Sequence, residues 1–151
     1  MRNERLESVD EWFLRIAEVV ALRSTCARRA VGCVLVDRRG RVLSVGYNGP
    51  PRDAVHCIDV PCEGVEFVSG QGLDFCQAVH AEQNAIVQLR GDSDDVRTAY
   101  CTVSPCMACA KLLANTGCLD IVSRELYAEH QLVARFWRDV RDGGWVHRGS
   151  A

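Results

Sequence analysis

The chain has 151 residues, of which 48% are hydrophobic and 25% charged, and this composition is typical of a single globular domain. The length excludes a (β/α)₈ barrel, which needs about 250 residues, and no apolar run approaches the roughly 18 residues that span a bilayer. Eighteen basic and 20 acidic side chains leave a net charge of −2, which favours a small substrate over a nucleic acid or a membrane as partner.

The beginning of the chain and its cysteines both favour a reducing compartment. Met1–Arg5 include an acidic residue and no apolar run, unlike a secretory signal, so we expect a cytoplasmic protein with residues 1–151 in one domain. Nine cysteines, an odd number, point to metal binding or catalysis rather than to a disulfide framework. We expect Cys33, Cys101 and Cys118 to be small buried core residues.

The apolar pattern predicts helices that alternate with strands. Val9–Leu22 has the spacing of an amphipathic helix, and Val31–Val36 and Arg41–Gly46 are predicted to form a hairpin. The later elements are predicted as a helix over His80–Leu89, a strand over Thr98–Val103, a helix over Pro105–Asn115, a strand over Ile121–Ser123 and a helix over Tyr127–Val140. This order predicts an α/β sandwich with a mixed sheet, in which helical crossovers join the later strands.

A Cys-x-x-Cys pair, Cys106 and Cys109, lies at the predicted start of a helix. That spacing places both sulfurs on one face of the first turn, where the helix dipole favours the thiolate that binds zinc. Ser104 is the predicted N-cap of this helix, and Pro105 suits its first position. Together with the imidazole of His80, the two thiolates would leave one tetrahedral position open, as in a catalytic zinc site.

Glu82 completes the pattern, because His80-Ala81-Glu82 followed by Pro105-Cys106-x-x-Cys109 matches the signature of zinc nucleobase deaminases. In such a site zinc activates water, and Glu82 would pass its proton to the ring nitrogen and help the amino group leave as ammonia. Taken alone, the two cysteines could be a redox pair or half of a structural zinc site, and a lone histidine is more often a satisfied core or surface residue.

In these motifs the chain resembles the deoxycytidylate (dCMP) deaminase family, from about Ser24 to Tyr127. The matching segments are Ser24–Cys26, Val31–Val34, Gly46–Pro51, His56–Cys57, Val79–Ile86, Tyr100–Cys106, Cys109–Lys111 and Tyr127. The resemblance implies a three-layer α/β/α sandwich with a mixed five-stranded sheet, the cytidine-deaminase-like fold. It also implies hydrolysis of dCMP to dUMP and ammonia, which supplies dTMP synthesis, and assembly into a homo-oligomer.

The resemblance also implies roles for individual residues. His80, Cys106 and Cys109 match the zinc ligands, Glu82 matches the proton shuttle, Asn48 matches a deoxyribose contact, Ala81 and Ser104 match contacts to the base, and Tyr127 matches the nucleotide end of the pocket. Without the family, Asn48 would be a turn residue and Tyr127 a packing aromatic. The substrate phosphate needs cationic donors, for which Arg28, Arg29 and Arg52 are candidates, although each could be a solvated surface charge.

A second, structural zinc is a further expectation. Cys26 and Cys57 match cysteines that hold such an ion in some family members, and Cys62 and Cys76 could complete a closed four-thiolate site. His56 could replace one of these ligands. The ion would order the long, poorly periodic segment Tyr47–Gln77, but the irregular spacing leaves free buried thiols as the alternative.

Other functions remain open at this stage. A deaminase of a modified or differently phosphorylated deoxycytidine nucleotide would use the same zinc chemistry. A tRNA adenosine deaminase shares both motifs, but it usually has glutamate where Ser104 stands and would need a basic surface. A non-catalytic zinc module is a rival of another class, against which Glu82 and the three-ligand count argue.

Overall fold

The computed structural model describes residues 7–149, so the expectation about Met1–Arg5 lies outside the described residues. The helices are α1 (Val9–Ala21), α2 (Ala81–Val87), α3 (Met107–Ala114) and α4 (His130–Val140), and the strands are β1 (Gly32–Val36), β2 (Val42–Tyr47), β3 (Thr98–Val103), β4 (Asp120–Glu125) and β5 (Trp145–His147). Within residues 7–149, no helix has both the length and the apolar character that a membrane crossing requires.

The strands form one mixed sheet in the order β2-β1-β3-β4-β5. β1 is antiparallel to both β2 and β3, whereas β3, β4 and β5 run parallel. Helices α3 and α4 provide the two crossovers between parallel strands, as such connections require. The prediction of a mixed five-stranded sheet is therefore confirmed, although the apolar pattern alone did not locate β5.

Each face of the sheet carries its own helical layer. On one face, α1 packs against alternate residues of β1, including Val34 and Val36. On the other face, α2, α3 and α4 cover Cys33 and Leu35, because successive residues of a strand point to opposite sides. These two apolar layers confirm the three-layer α/β/α sandwich.

The three cysteines that were expected in the core lie there. Cys33, Cys101 and Cys118 are fully buried, as predicted. Trp137 is also fully buried, and its indole N–H donates to the carbonyl of Leu119 at 3.1 Å. A buried tryptophan with a paired N–H stabilises the packing of α4 on the sheet.

Glycine on the sheet lets the α2 helix approach closely. A Cβ atom on Gly46 in β2 would lie 2.2 Å from the carbonyl oxygen of Ala81 and 2.3 Å from the amide nitrogen of Ala85. Only hydrogen fits between strand and helix at this point. Gly46 therefore sets the position of α2 relative to the sheet.

We predict that Gly46→Ala destabilises the fold by about 1–3 kcal/mol, because the added methyl group must push α2 away from β2. Urea unfolding measures this change. Gly144→Ala is the matched control, since its Cβ would first meet a side-chain oxygen of Asp120 at 3.1 Å, which can move aside. Equal stability of the two variants would contradict the close approach of α2.

Candidate active site

The N-termini of α2 and α3 meet at one point, and the three expected metal ligands lie there. His80 is the N-cap of α2, and Cys106 is the N-cap of α3. Cys106 Sγ lies 3.5 Å from His80 Nδ1, and Cys109 Sγ lies 3.4 Å from the same nitrogen. Among residues 7–149, this is the one group of three potential ligand atoms that all lie within 4.8 Å of one another.

These distances fit a zinc ion. With Zn–S bonds of about 2.3 Å and Zn–N bonds of about 2.0 Å, a tetrahedral ion separates a sulfur ligand from a nitrogen ligand by about 3.5 Å. Both observed sulfur–nitrogen distances are close to that value. The donor set of one imidazole and two sulfurs also suits zinc better than magnesium or calcium, which prefer oxygen. His80, Cys106 and Cys109 therefore form a candidate zinc site.

Two polar side chains fix the start of α2, and the sequence reasoning did not single out either as functional. Gln83 Oε1 accepts a hydrogen bond from the backbone N–H of His80 at 2.8 Å. Asn84 donates from Nδ2 to the carbonyl of Tyr47 at 2.8 Å and so ties the helix to the end of β2. A glutamine three residues after an N-cap is a known capping pattern, so Gln83 could have been predicted.

The start of α3 differs from the prediction. The helix begins at Met107 with Cys106 as its N-cap, so the prediction of Ser104 as N-cap and Pro105 as first helical residue was wrong. The hydroxyl of Ser104 instead accepts a hydrogen bond from the backbone N–H of Tyr127 at 2.7 Å. That bond links the segment that follows β3 with Tyr127.

The electrostatics of the cluster favour a thiolate at Cys106. A hydrogen bond from the Cys109 side chain and another from His80 lower the pKa of Cys106 to about 4. The same interaction with Cys106 raises the pKa of His80 above its usual value. An anionic sulfur beside these two groups is the state that a cation such as zinc would bind.

Glu82 lies beside the cluster and is almost fully buried, with 4% of its surface exposed. Burial raises the pKa of its carboxyl group above the ordinary value. A carboxyl group with a raised pKa holds a proton more readily than an ordinary carboxylate does, which suits a general acid–base group.

The remaining predicted substrate residues line the same cavity as the cluster. The structure brings together Asn48, Ala81, Ser104 and Tyr127 with His80, Glu82 and Cys106. The sequence reasoning missed Val31, Ser69 and Val103 as lining residues. Val31 and Val103 are apolar residues at strand ends, where only the three-dimensional fold shows that they face a cavity.

Asn48 is buried and uses both ends of its amide group. Its Nδ2 donates to the carbonyl of Arg29 at 2.7 Å, while its Oδ1 accepts from the backbone N–H of Val31 at 2.8 Å and from the hydroxyl of Ser24 at 2.6 Å. These bonds hold the amide in one orientation at the cavity wall.

The three candidate phosphate ligands lie in different places. Arg29 lines the cavity and forms an ion pair with Glu125. Arg28 points its guanidinium at backbone carbonyls of a nearby loop. Arg52 lines a separate groove that also contains Pro50 and His56. The structure therefore brings Arg29, but not Arg52, to the cavity that holds Glu82.

The second group of cysteines is only partly assembled. Cys57 Sγ and Cys62 Sγ are 3.7 Å apart, and Cys26 and Cys76 both border an outer extension of the cavity. No three of these sulfurs lie within 4.8 Å of one another, since the described residues contain one such group and it is the His80 cluster. His56 Nδ1 lies 3.9 Å from a carboxylate oxygen of Asp59.

Comparison with known proteins agrees with this site. Residues 7–124 match the sequence model of the cytidine and deoxycytidylate deaminase zinc-binding region. The deoxycytidylate deaminase of Mycobacterium phage D29 is 42% identical over 120 residues, which cover 75% of this chain and 91% of that protein. The deoxycytidylate deaminase of Saccharomyces cerevisiae is 36% identical over 121 residues, 80% of this chain and 38% of that protein.

A solved structure supports the fold. The dCMP deaminase of cyanophage S-TIM5, crystallised in complex with dCMP and dUMP, superposes with a TM-score of 0.71 and 24% identity over 95% of this chain and 99% of that one. This chain and the cyanophage enzyme thus share one fold.

The chain belongs to the cytidine and deoxycytidylate deaminase family, since the family match covers most of its length. It spans 38% of the length of the Saccharomyces cerevisiae relative and 39% of the deoxycytidylate deaminase of Schizosaccharomyces pombe, but 91% of the phage relative.

Proposed function

We propose that the protein is a zinc-dependent hydrolase that converts dCMP and water to dUMP and ammonia, supplying precursor for dTMP synthesis. The observation that carries this proposal is the placement of Glu82, which is buried and lines one cavity together with His80 and Cys106 of the candidate zinc site. The phage relative named deoxycytidylate deaminase and the solved structure with dCMP and dUMP support this choice of substrate.

Glu82 moves the protons in the proposed reaction. Zinc held by His80, Cys106 and Cys109 would supply a Lewis acid that makes water a stronger nucleophile near neutral pH. The Glu82 carboxylate accepts a proton from the attacking water and delivers it to N3 of the cytosine ring, as the new C4–O bond forms. A second proton from the same water reaches the amino group through Glu82, the C4–N bond breaks, and ammonia leaves.

Other residues of the cavity bind and orient the nucleotide. We propose that Asn48, held by its three hydrogen bonds, meets the deoxyribose, and that Ala81 and Ser104 lie against the base. Tyr127 and Arg29 border the cavity at its mouth, where Arg29 is the proposed phosphate ligand. Arginine suits this role because its guanidinium fork matches the geometry of a phosphate group.

A panel of nucleotides tests the proposal. The zinc-loaded protein is incubated with dCMP, deoxycytidine, dCTP, CMP and 5-methyl-dCMP, and ammonia release is measured for each. We expect dCMP to give the highest kcat/KM. A higher value for 5-methyl-dCMP or dCTP would assign the protein to another deoxycytidine nucleotide, and no release from any cytosine or adenine nucleotide would favour a non-catalytic zinc module.

A second zinc ion, held by Cys26, Cys57, Cys62 and Cys76, is a further part of the proposal. Support comes from the 3.7 Å approach of Cys57 Sγ to Cys62 Sγ and from Cys26 and Cys76, which border the same pocket. We predict two zinc ions per chain by elemental analysis, falling to one in Cys57→Ala. One zinc ion in the unmodified protein would remove this second site.

We also propose that the protein acts in the cytoplasm and forms a homo-oligomer. The nine cysteines are free thiols in the structure, which suits a reducing compartment. Light scattering coupled to size-exclusion chromatography tests the assembly, and a mass equal to one chain would contradict it.

A further inference from the structure

A single arginine fastens the loop that borders the pocket. Arg28 Nη1 donates to the carbonyl of Gly64 at 3.3 Å and to that of Gln71 at 3.2 Å. Its Nη2 donates to Gln71 at 3.2 Å and also to the carbonyl of Val68. The guanidinium therefore binds three carbonyls that are spread over eight residues of one loop.

The loop that Arg28 holds is part of the pocket wall. Ser69 lines both the cavity that contains Glu82 and its outer extension towards Tyr127. Gly70 packs so tightly that a Cβ atom there would lie 2.9 Å from the phenol oxygen of Tyr127. A movement of this loop would therefore open the side of the pocket between the metal ligands and the mouth.

The other restraints on this loop within the described residues are short-range, such as the hydrogen bond from the backbone N–H of Gln71 to the carbonyl of Val68 at 3.0 Å. Phe67 and Phe75 stack on each other at 5.4 Å, with 37% and 51% of their surfaces exposed. Because exposed aromatic pairs stabilise weakly, the charged hydrogen bonds of Arg28 are the stronger restraint within the described part of the loop.

We propose that Arg28 is a positioning residue, which holds the Val68–Gln71 segment as a wall of the substrate pocket and does not bind the phosphate itself. The inference rests on the proposed deaminase function. Arg28 borders the outer extension of the cavity together with Arg29, but its planar fork already donates to carbonyl oxygens, whereas Arg29 also lines the inner cavity with Glu82. Lysine at position 28 would keep the charge but lose the fork.

Steady-state kinetics distinguish the two possible roles of Arg28, positioning of the Val68–Gln71 segment and direct contact with the substrate phosphate. For Arg28→Lys and Arg28→Gln we expect kcat/KM to fall about 10-fold or more, mainly through KM, and by the same factor for dCMP and for deoxycytidine. Loss of a direct phosphate contact would instead affect dCMP and spare deoxycytidine. Arg38→Lys, in the exposed turn between β1 and β2, is the matched control and should keep wild-type kinetics.

Limited digestion with chymotrypsin reports on the loop directly. If the Val68–Gln71 segment is no longer held in place, chymotrypsin should cleave after Phe67 and Phe75 faster in the Arg28 variants than in Arg38→Lys. The melting temperature of each variant shows that it remains folded. Unchanged cleavage, or a loss confined to dCMP, would overturn the proposal. Inactivity of the unmodified protein would instead contradict the deaminase function, so the two failures are distinguishable.

Discussion

Glu82→Gln should lower kcat for dCMP by about 10²–10⁴-fold, the usual contribution of a general acid–base group. Glutamine has nearly the same shape as glutamate, but its amide cannot accept the water proton and return it to the ring. Among the described residues that line the cavity, Glu82 is the only one with a carboxyl group, so no neighbouring side chain can replace it. Ammonia release under saturating dCMP measures the effect.

Zinc content separates loss of chemistry from loss of the site. Glu82→Gln should bind as much zinc as the unmodified protein, because the three proposed ligands are His80, Cys106 and Cys109. Glu66→Gln, an exposed substitution of the same kind, should keep full activity. Near-normal turnover by zinc-loaded Glu82→Gln would show that the proposed proton path is wrong.

The second large effect is expected from Cys106→Ala, which removes one of three ligands. The variant should lose the zinc ion of the His80 cluster, and deamination should fall to background, since two remaining ligands hold zinc much more weakly than three. The sulfur of Cys106 is the anionic one, with its pKa lowered to about 4 by Cys109 and His80. Elemental analysis and ammonia release are measured on the same sample.

Cys118→Ala is the matched control for Cys106→Ala. Cys118 is also buried, but it lies in the core rather than at the cluster. Its substitution should cost some stability and leave zinc and activity unchanged. Full zinc occupancy of the His80 cluster and activity in Cys106→Ala would contradict the assigned ligand set.

Two of the three residues of the candidate metal cluster are close together in the sequence. Cys106 and Cys109 are three residues apart at a helix start, so their geometry follows from the helix itself. His80 joins them because a second helix begins at the same edge of the sheet. The N-cap of α3 was predicted wrongly as Ser104, because the hydroxyl of Ser104 accepts a hydrogen bond from Tyr127, a residue 23 positions away.

Other parts of the structure depend on contacts that leave little trace in the sequence. β5 has three residues, too few for an alternating pattern, and it forms by pairing with β4. The loop around Ser69 reaches the pocket because Arg28 binds backbone carbonyls, which every residue type provides. The roles of Asn48 and Arg29 towards substrate stay predictions until a ligand is bound.

Crystallography of the zinc-loaded protein, with anomalous data at the zinc edge, tests the central claim most directly. The account predicts an ion bound by His80 Nδ1 and by the sulfurs of Cys106 and Cys109, with Glu82 adjacent and no fourth ligand from the protein. An ion enclosed by four protein ligands, or an ion that avoids these three side chains, would contradict it.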